Sequence, residues 1–176
     1  MECLIVELNV AKELKLAGIV SKAVIKERIA PLELLGRSIV MTEPVEVELK
    51  YFFDGEGFRL DGKLKTAIEM NCTKCDKRFV EPFAVDFSER FLRVSEAEAE
   101  ELDCYTYTGD VLKLDKMVQD MILLNAPMYG LCKPDCKGLC PACGTNLNIT
   151  QCACSRNDES NPFAALKGLA ELLKED

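Results

Sequence analysis

Eight of the ten cysteines in this 176-residue chain fall into four close pairs, Cys72/Cys75, Cys132/Cys136, Cys140/Cys143 and Cys152/Cys154, while Cys3 and Cys104 stand alone. Two thiolates a short turn apart can face one tetrahedral ion about 2.3 Å away, and two such pairs close a structural zinc site. Four pairs therefore predict two Zn2+ sites. Six of the eight paired cysteines crowd into residues 132–154, where apolar residues are too sparse to form a core, so a metal must organise that segment. Cys140-Pro-Ala-Cys143-Gly144 has the form of a zinc knuckle, whose glycine can take φ > 0 and let backbone amides approach the sulfurs. The solitary Cys3 and Cys104 read as buried thiols.

Four pairs combine into two sites in three ways. Chain-closure entropy favours joining Cys140/Cys143 to Cys152/Cys154 through a loop of eight residues, which leaves Cys72/Cys75 with Cys132/Cys136; an interleaved arrangement stays open at this point.

Metal ligation is preferred to disulfides because the chain reads as cytoplasmic. No stretch approaches the roughly 18–20 apolar residues of a membrane span, and the start, MECLIVELNVAKELK, lacks the basic-then-apolar order of a signal peptide. In a reducing compartment paired cysteines are read as metal ligands. The formal net charge is −8 with no histidine, which argues against broad binding of a phosphate backbone. Any RNA contact must then use a local patch or a partner protein.

Hydrophobic periodicity supplies the scaffold. Val45, Val47, Leu49, Tyr51 and Phe53 alternate with Glu46, Glu48, Lys50 and Phe52, mostly the period of a half-buried strand, and Asp54-Gly55-Glu56-Gly57 reads as a turn. The alternation resumes with Phe58, Leu60, Leu64, Thr66, Ile68, Met70 and Cys72, and after Cys75 with Phe79, Phe83, Val85, Phe87 and Phe91. The first CxxC thus lies at a reversal between two long strands. The acidic run Ser95–Asp103 reads as a solvated loop or helix end. Leu114, Met117, Val118, Met121 and Ile122 form one apolar helical stripe, which Pro127 must end or closely follow. Asn161-Pro162 supplies the start of a closing helix. Residues 1–44 carry apolar clusters that fit strands or short helices. The expectation is an α+β protein: an antiparallel β-rich domain with one packed helix over residues 1–127, and a zinc-stabilised tail over 128–176 ending in a short helix.

The run LCKPDCKGLCPACGTNLNITQCAC followed by NPFAALKGL, with NCTKC upstream on a strand, resembles the YceD-like large ribosomal RNA subunit accumulation protein family. The likeness covers roughly residues 45–170 and carries the eight paired cysteines together with Gly138, Gly144, Asn146, Leu147 and Asn148. It implies a factor for large-subunit ribosomal RNA, with the RNA precursor or a ribosomal protein as partner. The family's strand motif usually carries Arg before its second cysteine. Lys74 here keeps the charge but loses the planar fork that would grip a phosphate bidentately. Lys74, Lys77, Arg78, Lys133 and Lys137 flank the cysteines as a candidate basic patch.

A zinc hydrolase or a thiol oxidoreductase is the competing class. A catalytic zinc keeps an open position and usually recruits His or a carboxylate, whereas this chain has no His and enough thiols to close both sites. A redox CxxC normally opens a helix in a βαβ unit, whereas Cys72-Thr-Lys-Cys75 lies between strands.

Overall fold

A computed structural model describes residues 6–34 and 36–154. Its chain divides into two units, residues 6–72 with 77–132, and residues 73–76 with 133–154.

The first unit runs in chain order through β1 (Glu7–Asn9), a 3-10 turn (Glu13–Lys15), β2 (Ser21–Glu27), β3 (Leu32–Leu34), β4 (Arg37–Met41), β5 (Val45–Phe53), β6 (Gly57–Asn71), β7 (Arg78–Leu92), α1 (Glu96–Leu102), β8 (Tyr105–Thr106), β9 (Val111–Lys113) and α2 (Asp115–Asn125). The β6 strand is the spine. It pairs with β7 along its whole length, from Gly57↔Leu92 to Asn71↔Arg78. Its other edge takes β5 over Phe58 to Lys65 and then β4 at Ile68 and Glu69. Beyond these, β2 adds antiparallel to β5, β3 to β4, and β8 parallel to β7.

Alternation in the sequence becomes burial in the fold. Val45, Val47, Leu49 and Tyr51 of β5 and Phe58, Leu60, Leu64, Thr66, Ile68 and Met70 of β6 are buried, as are Phe83, Phe87 and Phe91 of β7. Glu46 and Glu48, of opposite parity, pair instead with Lys26 at 3.0 Å and with Lys65. The expected helix is α2, and its stripe of Met117, Val118, Met121 and Ile122, with Leu114 at the N-cap, is buried in the same core. Each such side chain contributes about 1.5–3 kcal/mol when fully buried. The last helical bond runs from the Ala126 amide to the Ile122 carbonyl, and Pro127 follows.

Among residues 6–34 and 36–40, of weak periodicity, the regular elements are the strands β1 to β4 and the one 3-10 turn. Short β1 pairs with β9, and the Val6 amide donates to Asp115 Oδ1 at 2.9 Å, which fastens the start of the described chain to the first turn of α2. The acidic run is a short helix of its own: Ser95 Oγ accepts from the Glu98 amide at 3.3 Å and Glu98 Oε2 accepts from the Ser95 amide at 2.9 Å, a capping box.

In the second unit the chain has almost no regular structure. Residues 73–76 form the loop between β6 and β7, with Asp76 at φ +55°. Residues 133–154 are a succession of turns. The Leu139 amide donates to the Lys74 carbonyl at 2.9 Å, and Leu139 bridges antiparallel to Asn146. The expected helix after Asn161, the NPFAALKGL segment and Cys3 lie outside the described residues.

Candidate metal centres

The β6–β7 reversal that carries the first CxxC is built without a hairpin turn of ordinary length. The Cys72 amide donates to the Lys77 carbonyl at 2.9 Å, closing the loop at its neck. Cys72 and Cys75 are both buried. Their sulfurs and those of Cys132 and Cys136 all lie within 4.8 Å of one another. Asn148 Nδ2 donates to Cys136 Sγ at 3.4 Å, and the same side chain accepts the Lys137 amide through Oδ1 at 2.9 Å.

Cys140, Cys143, Cys152 and Cys154 form the second cluster, again with every sulfur within 4.8 Å of the others. The knuckle is closed by the Gly144 amide donating to the Cys140 carbonyl at 2.8 Å and the Cys140 amide donating to the Thr145 carbonyl at 2.8 Å. Gly144 takes φ +73° and Gly138, which precedes the knuckle, takes φ +76°. A Cβ on Gly138 would sit 3.0 Å from the Lys74 carbonyl, a tight contact, and the positive φ favours glycine there.

Charge inside this second cluster is unevenly accommodated. Hydrogen bonds from the Thr145 hydroxyl and amide, with those of neighbouring thiols, lower Cys143 to about 6. The amides of Cys143 and Ala142 lower Cys140 as well. Cys154, crowded by Cys143 and Cys152, is pushed up to about 12. Amide donors thus support the first thiolates, while each later one meets like charge. A divalent cation at the centre removes that repulsion. Sulfurs about 2.3 Å from a shared tetrahedral ion stand about 3.8 Å apart, so a donor set within the observed spacing fits a metal held by four thiolates.

Both clusters follow the assignment favoured by loop closure rather than an interleaved one. Cys104 is half-buried, and its thiol is raised by burial. No disulfide joins the cysteines of the described residues. Of the candidate basic residues, Lys77 and Arg78 belong to the first unit and Lys74, Lys133 and Lys137 to the second. Arg78 lies 3.6 Å from Glu69, and Lys133 lies 3.6 Å from Asp135. Thr145, two residues after Cys143, is a sulfur partner that sequence reasoning passed over; its signal was a hydroxyl placed just after a knuckle glycine.

An antiparallel β-rich scaffold with two four-cysteine clusters and no histidine defines a protein with candidate metal centres of the closed, structural type. The profile of the family described as large ribosomal RNA subunit accumulation protein YceD matches residues 60–170, and the chain belongs to that family. A chloroplastic protein of Arabidopsis thaliana named large ribosomal RNA subunit accumulation protein YCED homolog 1 is 24% identical over 75% of this chain and 50% of its own length. The Zea mays protein of the same name is 27% identical over 82% of this chain and 61% of its own. An uncharacterized protein of Mycobacterium tuberculosis is 24% identical over 58% of this chain and 51% of its own. The chain therefore spans between half and two thirds of the length of these relatives. No solved structure matches it. No helix among the described residues is long and apolar enough to cross a membrane.

Proposed function

We propose that this chain is a non-catalytic zinc protein that supports accumulation of large-subunit ribosomal RNA, working in the cytoplasm through the RNA precursor or a ribosomal protein. In this reading Cys72, Cys75, Cys132 and Cys136 hold one structural Zn2+, and Cys140, Cys143, Cys152 and Cys154 hold the other. The observation that carries it is the pair of complete four-thiol clusters in a chain of this family. Four thiolates satisfy a tetrahedral ion and leave no position for a reacting water, which separates such a centre from a hydrolase. Residues 1–127 form the β-rich domain, which has its own core, and residues 128–176 the tail, which depends on metal for its order. Lys74, Lys77, Arg78, Lys133 and Lys137 supply the positive charge closest in sequence to the ligands.

Metal analysis of freshly purified chain tests the chemistry, with two zinc ions per chain expected; one or none, or iron in their place, overturns the zinc assignment. Deleting the gene tests the role. The ratio of mature large-subunit to small-subunit ribosomal RNA should fall and be restored by the wild-type gene. A variant lacking the five basic side chains should keep both metals yet fail to restore it. An unchanged ratio in the deletion strain rejects the ribosomal reading.

A further inference from the structure

The negative charge of the chain is concentrated in one place. Residues 89–120 hold nine carboxylates against four basic residues, a net −5 out of −8 for the whole chain. Several of the nine have structural duties: Glu98 caps α1, Asp115 receives the Val6 amide, and Glu96 accepts from the Thr106 hydroxyl at 2.9 Å. Glu89, Glu100 and Asp103 have no such duty, and none of the ion pairs among the described residues involves them.

These carboxylates rim a cleft. Between α1 and α2 lies a hollow of about 420 Å³ whose walls carry Glu89, Glu100, Asp103 and Asp120 and whose apolar lining includes Ala99, Met121 and Leu124. It adjoins a second hollow of about 600 Å³ through Glu96, Cys104, Tyr105 and Lys116. Leu124 of α2 is 81% exposed, an apolar side chain open beside the acidic rim. Half-buried Glu89 is raised by desolvation and by the charges of Asp103 and Asp120, and Lys116 is the one basic side chain on the same walls, against five carboxylates.

We infer that the cleft between Glu96–Leu102 and Asp115–Asn125 is a docking site for a lysine- and arginine-rich segment of a protein partner. Three observations select this occupant. The rim repels phosphates, so RNA is disfavoured there. The carboxylates are spread along the walls rather than converging: among the described residues only the two cysteine clusters bring three or more ligand atoms within 4.8 Å of one another, so a single divalent cation is not held. Exposed Leu124 flanked by carboxylates matches side chains whose aliphatic stems lie on that leucine while their cationic heads reach the rim. The site lies wholly in the first unit, and the inference does not rest on the metal centres or on the ribosomal role.

The test uses the zinc-loaded full chain and a fluorescent peptide alternating lysine and arginine with leucine, followed by anisotropy across a salt series. Binding should weaken as salt rises. The combined substitution Glu89→Gln, Glu100→Gln and Asp103→Asn should weaken it at least tenfold at low salt, and Leu124→Ser alone severalfold, with thermal stability and zinc content unchanged. Asp61→Asn with Asp86→Asn, on another part of the sheet, should leave the affinity as it was. An acidic peptide of equal length should not bind. No binding of the basic peptide, equal loss from the Asp61/Asp86 variant, or equal binding of a single-stranded oligonucleotide that the cleft substitutions weaken, overturns the proposal. If the cleft substitutions reduce thermal stability, peptide protection of the Cys104 thiol from alkylation in the wild-type chain decides instead: protection supports the site, and an unchanged alkylation rate at saturating peptide rejects it.

Discussion

The amide of Leu139 donates to the carbonyl of Lys74 across 2.9 Å, so the residue before the knuckle cysteine Cys140 is fastened by main-chain atoms to the middle of the first CxxC loop. Because the bond uses backbone atoms only, it depends on how closely the two strands of chain approach. Gly138 governs that approach.

Gly138→Ala therefore tests it. The side chain would be placed 3.0 Å from the Lys74 carbonyl at φ +76°, whereas Gly144→Ala, at φ +73°, meets nothing within 4 Å. Both substitutions incur the left-handed penalty of about 1–2 kcal/mol, and only the first adds a steric clash. Extraction of metal by a chelator should be clearly faster in Gly138→Ala than in Gly144→Ala. Equal rates would mean that the approach to Lys74 does not matter.

Asn148 donates its side-chain amide to the Cys136 sulfur, within the tail, and accepts the Lys137 amide with its oxygen. Outer partners of metal ligands are worth about 10–100-fold in metal affinity. Asn148→Ala should lower metal affinity by about 10-fold on that scale, read by competition with a chromogenic chelator. Thr145→Val, which removes the hydroxyl beside Cys143, should act in the same direction.

Gly62 occupies the middle of β6, opposite Leu49 on one side and Phe87 on the other. A Cβ there would run into the Glu48 carbonyl and come 2.8 Å from the Phe87 ring. Gly62→Ala should lower stability by about 1–3 kcal/mol, the usual penalty of overpacking. Urea unfolding followed by far-ultraviolet circular dichroism measures it.

Asp54 is held down to about 2 by the amides of Gly57 and Glu56, with the Arg59 guanidinium adding to their effect. A carboxylate with a depressed folded-state pKa stabilises the protein above its ordinary value of 3.8 and loses that contribution as pH falls toward 2. Allowing for partial exposure, Asp54→Asn should destabilise the first unit by about 1–2 kcal/mol near neutrality. The gap between wild type and variant should close between pH 4 and pH 2, measured by urea midpoints. A gap independent of pH would assign the effect to turn geometry alone.

Strands with one buried face were legible because their code is local. Phe58, Leu60, Leu64, Ile68 and Met70 alternate in the sequence and are buried in the fold, and the α2 stripe follows the same logic at helical period. The cysteine sets were legible because loop closure ranks the possible pairings. By contrast, β8 and β9 span only two and three residues, too short for periodicity to register, and they exist through partners far along the chain. The helix over Glu96–Leu102 was hidden by composition: its four glutamates and two alanines look like a solvated run, and its one signal is Ser95 placed three residues before Glu98. The cleft that this helix makes with α2 could not be read at all, since Glu89 and Asp120 meet only through tertiary structure.

The bond between the Val6 amide and Asp115 closes a sequence separation of 109 residues. On a ribosome this means that the segment leading into β1 emerges long before Asp115 and has to wait for 109 further residues before that partner exists. A topology so rich in distant pairings folds slowly, because loop-closure entropy is met before the contacts are gained. During that interval β9 and the apolar face of α2 have not yet been made, and the inner side of the sheet is uncovered. A nascent chain of this protein should therefore be most vulnerable to aggregation and proteolysis in the interval between synthesis of β7 and emergence of Ile122, and should pass abruptly to a protected state once that helix is free to pack.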